Sequence, residues 1–339
     1  MCHSLLHMEE LQEAQYCFQE GNSSCRKDSL PTSIYISLYI FFSLISAITV
    51  FLNLLVIICI SYFKQLHTPT NLLILSLAVS DLLVGLIVIP SMTVAILESC
   101  WVLGDYFCAL LLYISFLCSS SSVGNLILIS IDRYVAVCDP LMYRLKITTR
   151  KIQWFISISW CCCIIYDAVF IKIYVNVQVP SRCFEECFTI EGDFWVGISD
   201  FVISMIVPCS IIITLYLKIF VVARSQARKN FLNGSVPVSG INTAQANKSE
   251  RKAAKTLGIV IFIYLLCWNP FMYLFLNFSK NYVFSFTISF LSLVNSFINP
   301  IIYAFFYPWF KEGVSKLFTG LGQNIALVVG LGPKKQSLS

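Results

Sequence analysis

The chain has 339 residues, of which 58% are hydrophobic and 12% charged, and its formal net charge is +5 at pH 7. Soluble domains are about 45–50% apolar and about 25% charged, so this composition excludes a disordered chain, a coiled coil and an ordinary soluble enzyme. It predicts a protein that lies mostly in lipid and has no nucleic-acid partner.

Residues 1–32 are predicted to form a polar extracellular segment. They carry the glycosylation sequon Asn22-Ser23-Ser24, and they lack the basic start and short apolar core of a cleavable signal peptide. Seven apolar stretches follow, and each is long enough for a membrane-crossing helix, which needs about 20 residues. They are residues 33–61, 71–94, 106–137, 153–175, 195–222, 256–278 and 283–306. The sequence therefore predicts an all-α membrane protein, a seven-transmembrane-helix bundle over residues 33–306.

Basic residues predict the orientation of this bundle. Sixteen Lys and Arg side chains lie in segments on the side of the C-terminus, and five lie in segments on the side of the N-terminus. The positive-inside rule then puts the N-terminus outside and the C-terminus inside. Residues 307–339 form a cytoplasmic tail, and an amphipathic helix over 306–318 is expected to lie on membrane lipid. Its apolar side chains are Trp309, Phe310, Val314, Leu317 and Phe318, and its charged ones are Lys311, Glu312 and Lys316.

Several polar side chains are predicted to form one inward-facing network inside the membrane. An intramembrane carboxylate costs about 2.5–3.5 kcal/mol on insertion scales, so Asp81 needs a partner, and a sodium ion could serve. The members of the network are Asn53, Asp81, Ser122, Asn295, Ser296 and Asn299. No other cofactor or metal is expected, because the 15 Cys form no CxxC pair and the chain has three His.

Short motifs on these spans follow one another in a characteristic order. They are Asn53, Leu77-Ala78-Val79-Ser80-Asp81, Asp132-Arg133-Tyr134, Trp160, Pro208 with Tyr216, Cys267-Trp268-Asn269-Pro270 and Asn299-Pro300-Ile301-Ile302-Tyr303. Together they resemble the rhodopsin-like (class A) G-protein-coupled receptors over residues 30–320. The resemblance implies a multi-pass plasma-membrane receptor that activates a heterotrimeric G protein.

The resemblance also implies a cytoplasmic switch. Arg133 follows Asp132 at the end of the third span, and Glu250 at the base of the sixth could pair with Arg133 and hold that helix in. The alternative is a solvated charge pair worth under about 1 kcal/mol. Pro270 and Pro300 each remove a helix hydrogen bond and allow a kink, and outward movement of the sixth helix would open a cavity for a G-protein helix. The other switch residues are Tyr134, Tyr216, Asn299 and Tyr303.

Residues 295–310 resemble a narrower family. They match every fixed position of NSxxNPxx(Y/H)xxxYxWF, the signature of the trace amine-associated receptors, and residues 61–71 and 250–258 are similar to that family too. The resemblance implies an olfactory receptor for small, mostly volatile amines in the cilia of olfactory sensory neurons. It further implies a stimulatory G protein that raises cyclic AMP.

The amine site departs from the aminergic pattern on the third span. Aminergic receptors usually carry an Asp seven residues after the outer-end Cys, here Cys108, and that position is Ser115. Asp200 lies eight residues before Pro208, in the outer half of the fifth span. A branch of the family, expanded in fish, has its Asp on the fifth span, and the similarity implies that Asp200 is the ammonium counter-ion. The other interpretation is a structural Asp that reaches water or a Lys.

The fourth span contains a second acid. Asp167 could add another anionic contact and favour a diamine, or it could equally snorkel to water or pair with Lys172. Aromatic rings would add cation–π and apolar contacts to the ligand. The other predicted pocket residues are Ser115, Phe116, Ser119, Phe201, Ser204, Trp268, Phe271, Met272, Phe275 and Leu293.

Two disulfide bonds are implied at the outer face, which is the oxidising side of the membrane. The resemblance pairs Cys108 with Cys187. It pairs Cys183 with a Cys of the N-terminal segment, either Cys17 or Cys25, and the spacing does not choose between them.

Other functions compete with the amine receptor. The nearest is a class A receptor for a non-amine small molecule, in which Asp200 is structural. A channel or transporter would need rings of pore-lining charge or inverted repeats with broken helices, and neither is visible. An enzyme is not expected, because the sequence contains no nucleophile–base set.

Overall fold

A computed structural model describes residues 31–98, 105–174, 194–232, 258–259, 262–263, 294–303 and 307–328, and all regular structure in these ranges is helical. The helices are α1 (Thr32–Tyr62), α2 (Pro69–Leu83), α3 (Ile89–Leu97), α4 (Asp105–Cys138), α5 (Pro140–Lys146), α6 (Thr149–Tyr174), α7 (Phe194–Phe201), α8 (Val207–Leu232) and α9 (Pro308–Val328). Residues 294–303 are helical as well.

Five helical stretches of the described residues are long and apolar enough to cross a membrane. They are Thr32–Tyr62, Pro69–Ala95, Ala109–Cys138, Thr149–Ile173 and Ile198–Ser225. They confirm the first five predicted spans. The predicted sixth span lies outside the described residues except for 258–259 and 262–263, and the predicted seventh span is described over 294–303.

Each span has a face that packs on the other helices and a face that is exposed. In α1, Val56 and Ile60 are fully buried, whereas Phe51 and Ile58 are exposed. Exposed apolar side chains of this kind are stable in contact with lipid tails, which are as apolar as the side chains themselves. Buried residues of α1, α2, α4, α8 and the 294–303 segment form a central cluster, and smaller buried clusters lie beside it.

Two of the described spans contain a π turn, and each of these π turns ends two residues before a proline. Val84–Val88 joins α2 to α3 ahead of Pro90, and Val202–Ile206 joins α7 to α8 ahead of Pro208. A proline has no N–H to offer the carbonyl four residues earlier, so the hydrogen-bond ladder reorganises there. The extra residue of a π turn rotates the outer part of the helix relative to the inner part. Asp200 lies two residues before the second of these turns, on its extracellular side.

Close contacts between α2, α4 and α6 fix the middle of the bundle. The indole Nε1 of Trp160 donates a hydrogen bond to Oγ of Ser76 at 3.0 Å. A Cβ on Gly124 would lie 2.5 Å from Oγ of Ser159, so the glycine allows α4 and α6 to approach closely. These contacts place the outer half of α6 beside α4, where the acidic residue of the fourth span is located.

The tail helix differs from its prediction in length and in what it covers. It runs over Pro308–Val328 and not over 306–318. Phe310 is buried in the central cluster, and Gly313 faces Sγ of Cys59 in α1, at 3.4 Å from where a Cβ would be. One turn of the predicted lipid face therefore packs on protein. The predicted charged side chains Lys311, Glu312 and Lys316 are exposed, as is Phe318.

Candidate ligand-binding site

Asp200 is the next-to-last residue of α7, in the outer half of the fifth span, and it is 8% exposed. Its Oδ1 accepts a hydrogen bond from the hydroxyl of Tyr166 in α6 at 2.6 Å. Ser204 donates its hydroxyl to the backbone carbonyl of Asp200 at 2.7 Å, so this predicted pocket residue supports the local backbone. In the described part of the chain the ion pairs are Arg133–Asp132 and Lys146–Asp139, and no cation pairs with Asp200.

Tyr166 belongs to this site although it is not among the predicted pocket residues. Its ring stacks on Phe170 with centroids 6.4 Å apart and an interplanar angle of 12°. Phe170 in turn contacts Phe116 of α4, with ring centroids 5.4 Å apart. The signal in the sequence is a phenol inside a span, since a buried tyrosine hydroxyl usually has a partner.

Asp167 points toward α4. It is 2% exposed, and its Oδ2 accepts a hydrogen bond from the hydroxyl of Ser120 at 2.6 Å. Lys172, five residues further along α6, is exposed and does not pair with it. Snorkelling to water and pairing with Lys172 are therefore both wrong, because Asp167 faces the helix interface. Among the described residues, no cation pairs with this buried carboxyl group.

Of the predicted third-span residues, Phe116 contacts this region through Phe170 of α6. Ser115 donates its hydroxyl to the carbonyl of Leu111 in its own helix at 2.8 Å, so it presents no free donor sideways. Phe116 and Ser119 are half-buried, as is Phe201 of α7. The remaining predicted pocket residues lie outside the described residues: Trp268, Phe271, Met272, Phe275 and Leu293.

The predicted polar network lies closer to the cytoplasmic side than this region. Asp81 is fully buried and its Oδ2 accepts a hydrogen bond from Nδ2 of Asn299 at 2.9 Å. Asn53 donates its Nδ2 to the carbonyl of Ser296 at 3.1 Å, which ties α1 to the 294–303 segment. Ser122 donates to the carbonyl of Cys118 in its own helix at 2.8 Å.

Several buried oxygen acceptors of this network have no hydrogen-bond partner among the described residues. They are the Oδ1 atoms of Asn53, Asp81, Asn295 and Asn299. Carboxylate and amide oxygens are the ligands that hard cations prefer, so these oxygens are of the chemical kind that a sodium ion binds. Within the described ranges, no group of three or more His, Cys, Asp or Glu side chains could hold another metal.

The predicted switch begins with a buried ion pair. Nη2 of Arg133 lies 2.6 Å from Oδ2 of Asp132, and the two side chains are 5% and 0% exposed. Thr70 of α2 donates its hydroxyl to the same Oδ2 at 2.8 Å and also accepts a hydrogen bond from Arg133. Tyr143 of α5 donates to Oδ1 of Asp132 at 2.7 Å. The pair of Arg133 with Asp132 is therefore not a solvated surface pair, whereas pairing of Arg133 with Glu250 stays a prediction.

Tyr143 remains a neutral donor in this cluster. Burial raises the pKa of Tyr143 above its ordinary value, and the nearby charge of Asp132 raises that pKa further. A tyrosine with a raised pKa keeps its proton at neutral pH, so its hydrogen bond to the carboxylate is retained. The loop helix α5 is thereby tied to the end of the third span.

The other switch residues are placed only in part. The hydroxyls of Tyr216 and Tyr303 are buried without a hydrogen-bond partner among the described residues. Nζ of Lys218 lies 5.9 Å from the ring centroid of Tyr134. Pro300 lies within the helical stretch 294–303. Glu250 and Pro270 lie outside the described residues.

The predicted disulfide bonds and glycosylation site at the outer face also involve residues or side chains that the structure does not describe. Cys108 belongs to α4, but its side chain is not described. The other residues concerned lie wholly outside the described residues: Cys17, Asn22, Cys25, Cys183 and Cys187. The two disulfide bonds and the glycosylation site remain predictions.

Comparison with known proteins finds members of one receptor group among the relatives of this chain. The family model described as "7 transmembrane receptor (rhodopsin family)" matches residues 52–303. Trace amine-associated receptor 5 of Rattus norvegicus is 42% identical over 320 residues, which is 91% of this chain and 92% of the rat protein. Trace amine-associated receptor 13c of Danio rerio is 35% identical over 93% of this chain and 95% of its own. Trace amine-associated receptor 2 of Homo sapiens is 35% identical over 94% of this chain and 93% of its own.

Proposed function

Because the chain belongs to the trace amine-associated receptors, within the rhodopsin family of seven-transmembrane receptors, we propose that it binds a small amine through Asp200 and activates a stimulatory G protein. The chain is a multi-pass plasma-membrane receptor and not an enzyme, and its partners are a small-molecule ligand and a G protein. Stimulation of cyclic AMP synthesis and a location in olfactory cilia are parts of the proposal.

The observation that supports the amine site is the environment of Asp200. Its carboxylate is buried inside a membrane span, and its described hydrogen-bond partner, Tyr166, is neutral. A charge in the membrane is costly and is usually paired. An alkylammonium ligand would supply the opposite charge through a charge-assisted hydrogen bond.

The third span also favours Asp200 as the counter-ion, because it lacks the carboxylate of aminergic receptors. Ser115 stands where aminergic receptors carry their carboxylate, and its hydroxyl is bonded to its own helix. A serine hydroxyl has no charge with which to neutralise an ammonium. The ligand nitrogen is therefore assigned to the fifth span, and the rings of Phe116 and Phe201, with the predicted Trp268 and Phe271, would contact its apolar part.

Signalling is proposed to run through the Arg133 cluster. Agonist binding would favour the state in which the sixth helix moves outward, and it can do so only through a higher affinity for that state. Release of Arg133 from Asp132 and Thr70 would then open the cytoplasmic face to a helix of the G protein. Glu250 is proposed to hold the sixth helix in the resting state.

A sodium ion is proposed for the network around Asp81. The side chains that would hold it are Asp81, Ser122, Asn295 and Ser296, with Asn299 beside Asp81. The ion would neutralise a buried carboxylate between α2, α4 and the 294–303 segment. The hydrogen bond between Asn299 and Asp81 supports this proposal, because it brings two of the oxygen-bearing side chains together.

The decisive experiment compares cyclic AMP responses to a panel of amines in cells that express the wild type or Asp200→Asn. We expect Asp200→Asn to lose potency for protonated amines by about a hundredfold to a few thousandfold, since removal of one partner of a buried charge pair costs about 3–5 kcal/mol. Asp139→Asn is the matched control, because it removes an exposed cytoplasmic carboxylate. An undiminished response in Asp200→Asn would refute the counter-ion role, and activation only by neutral or acidic compounds would favour the non-amine receptor.

A further inference from the structure

The hydroxyl of Tyr166 makes a short hydrogen bond to the carboxylate that is assigned to the ligand. The O–O distance of 2.6 Å is in the range of hydrogen bonds from a hydroxyl to an ionised oxygen. The two residues are 34 positions apart, on α6 and α7, so the bond joins separate spans. We propose that Tyr166 is a positioning residue that presents Asp200 to the ligand and sets which class of ammonium the receptor prefers. This inference depends on the amine site proposed above.

The ring of Tyr166 is held in place independently of the hydrogen bond. It stacks on Phe170, which lies against Phe116, and Phe170 belongs to a buried apolar cluster with Leu111 and Leu112 of α4. A phenol fixed by such packing loses little additional freedom when it forms its hydrogen bond. The position of Oδ1 of Asp200 is thereby set by the α4–α6 packing.

A phenol changes the carboxylate in a way that a lysine or arginine would not. It fills one acceptor direction and stabilises the ionised form, but it carries no charge, so the negative charge remains available to a ligand. Because Tyr166 occupies one of the two acceptor directions of Oδ1, Oδ2 is the more open oxygen for the ligand nitrogen. A tertiary ammonium has one N–H and needs one acceptor, whereas a primary ammonium has three N–H groups and gains from two. Tyr166 therefore favours tertiary over primary amines of equal size.

The test compares a tertiary amine with a primary amine of similar size in wild type and Tyr166→Phe, with cyclic AMP as the readout and surface level matched by an epitope tag. Tyr166→Phe removes one oxygen and keeps the ring. Loss of a hydrogen bond to a charged group predicts about a tenfold or larger loss of potency for the tertiary amine. The primary amine should lose less, because both oxygens of Asp200 become open to it. The preference should therefore move toward the primary amine.

Two controls separate this proposal from simpler ones. Tyr113→Phe deletes a hydroxyl of the same kind, whose hydrogen bond goes to the carbonyl of Ile164 at 3.3 Å, and it should change neither potency nor preference. In an Asp200→Asn background, Tyr166→Phe should no longer alter the ratio of the two potencies. Equal loss for both amines in Tyr166→Phe would mean that Tyr166 is only a structural tie and would overturn the proposal. If Asp200→Asn has no effect at all, the proposed amine site fails, and that outcome is distinct from a failure confined to Tyr166.

Discussion

Asn299 donates its side-chain amide to Oδ2 of Asp81 at 2.9 Å and so links two buried residues that are 218 positions apart in the sequence. The bond leaves Oδ1 of Asp81 and Oδ1 of Asn299 without partners among the described residues. A buried polar atom without a hydrogen bond is costly. Each of the two side chains therefore has one oxygen without a hydrogen bond from the described residues. A bound cation would interact favourably with these oxygens.

Asp81→Asn is expected to remove sodium sensitivity. If sodium binds the resting receptor at this site, replacing choline with sodium outside the cell should lower agonist potency of the wild type about fivefold, which corresponds to a coupling of about 1 kcal/mol. The variant lacks the charge and should respond equally in both salts. Cyclic AMP dose–response curves measure this, and a sodium effect that persists in Asp81→Asn would place the ion elsewhere.

Asp132→Asn is expected to raise signalling in the absence of ligand. Asp132 holds Arg133 and also accepts hydrogen bonds from Thr70 and Tyr143, and the pair is buried. Removing one partner of a buried pair can cost about 3–5 kcal/mol, enough to shift a two-state equilibrium strongly. Basal cyclic AMP per surface receptor is the measurement.

The same region provides a matched control for that prediction. Asp139→Asn removes a carboxylate further along the chain, whose partner Lys146 is 2.7 Å away; the side chains of Lys146 and Asp139 are 54% and 41% exposed. Exposed pairs contribute little, about 0–1 kcal/mol. Asp139→Asn should leave basal signalling unchanged, and equal effects of the two variants would contradict a specific role for Asp132.

Gly85→Ala is expected to destabilise the bundle. A Cβ at Gly85 would lie 2.9 Å from Cγ2 of Val50 and 3.2 Å from its backbone N, and a backbone atom cannot turn aside. Overpacking of this kind costs about 1–3 kcal/mol. The variant should melt at a lower temperature in detergent. Gly124→Ala is the comparison, because its closest contact is Oγ of Ser159, which can rotate, and a larger effect at Gly124 would contradict this reasoning.

The spans can be predicted from the sequence because their signal is local. The sequence predicts a span over 33–61 and α1 is Thr32–Tyr62, since about 20 consecutive apolar residues are sufficient to identify a membrane helix. The buried positions of Asp81, Asn53 and Asn299 are also predictable, because polar groups inside a span have to face other helices.

Other features cannot be predicted in this way, because they depend on which helices meet. Tyr166 and Asp167 are consecutive, yet the first bonds to α7 and the second to α4. Helical periodicity predicts that the two side chains point to different sides of α6. Which neighbouring helix each side chain contacts depends on how α6 packs in the bundle. The prediction that Phe310 faces lipid is wrong for the same reason: an apolar side chain gives no indication whether its contact is lipid or protein.

Asp167→Asn is expected to affect diamines and spare monoamines. Asp167 is buried, its described partner is the hydroxyl of Ser120, and an asparagine oxygen can still accept that hydrogen bond. The variant therefore removes charge while keeping the contact. If the second ammonium of a diamine reaches Asp167, its loss should lower diamine potency about tenfold or more, while a monoamine that uses only Asp200 keeps its potency. Dose–response curves for a diamine and the monoamine of equal chain length measure the difference, and Ser120→Ala tests the hydrogen bond alone. An equal loss for both amines would show that Asp167 acts through the structure of the α4–α6 interface and not through the ligand.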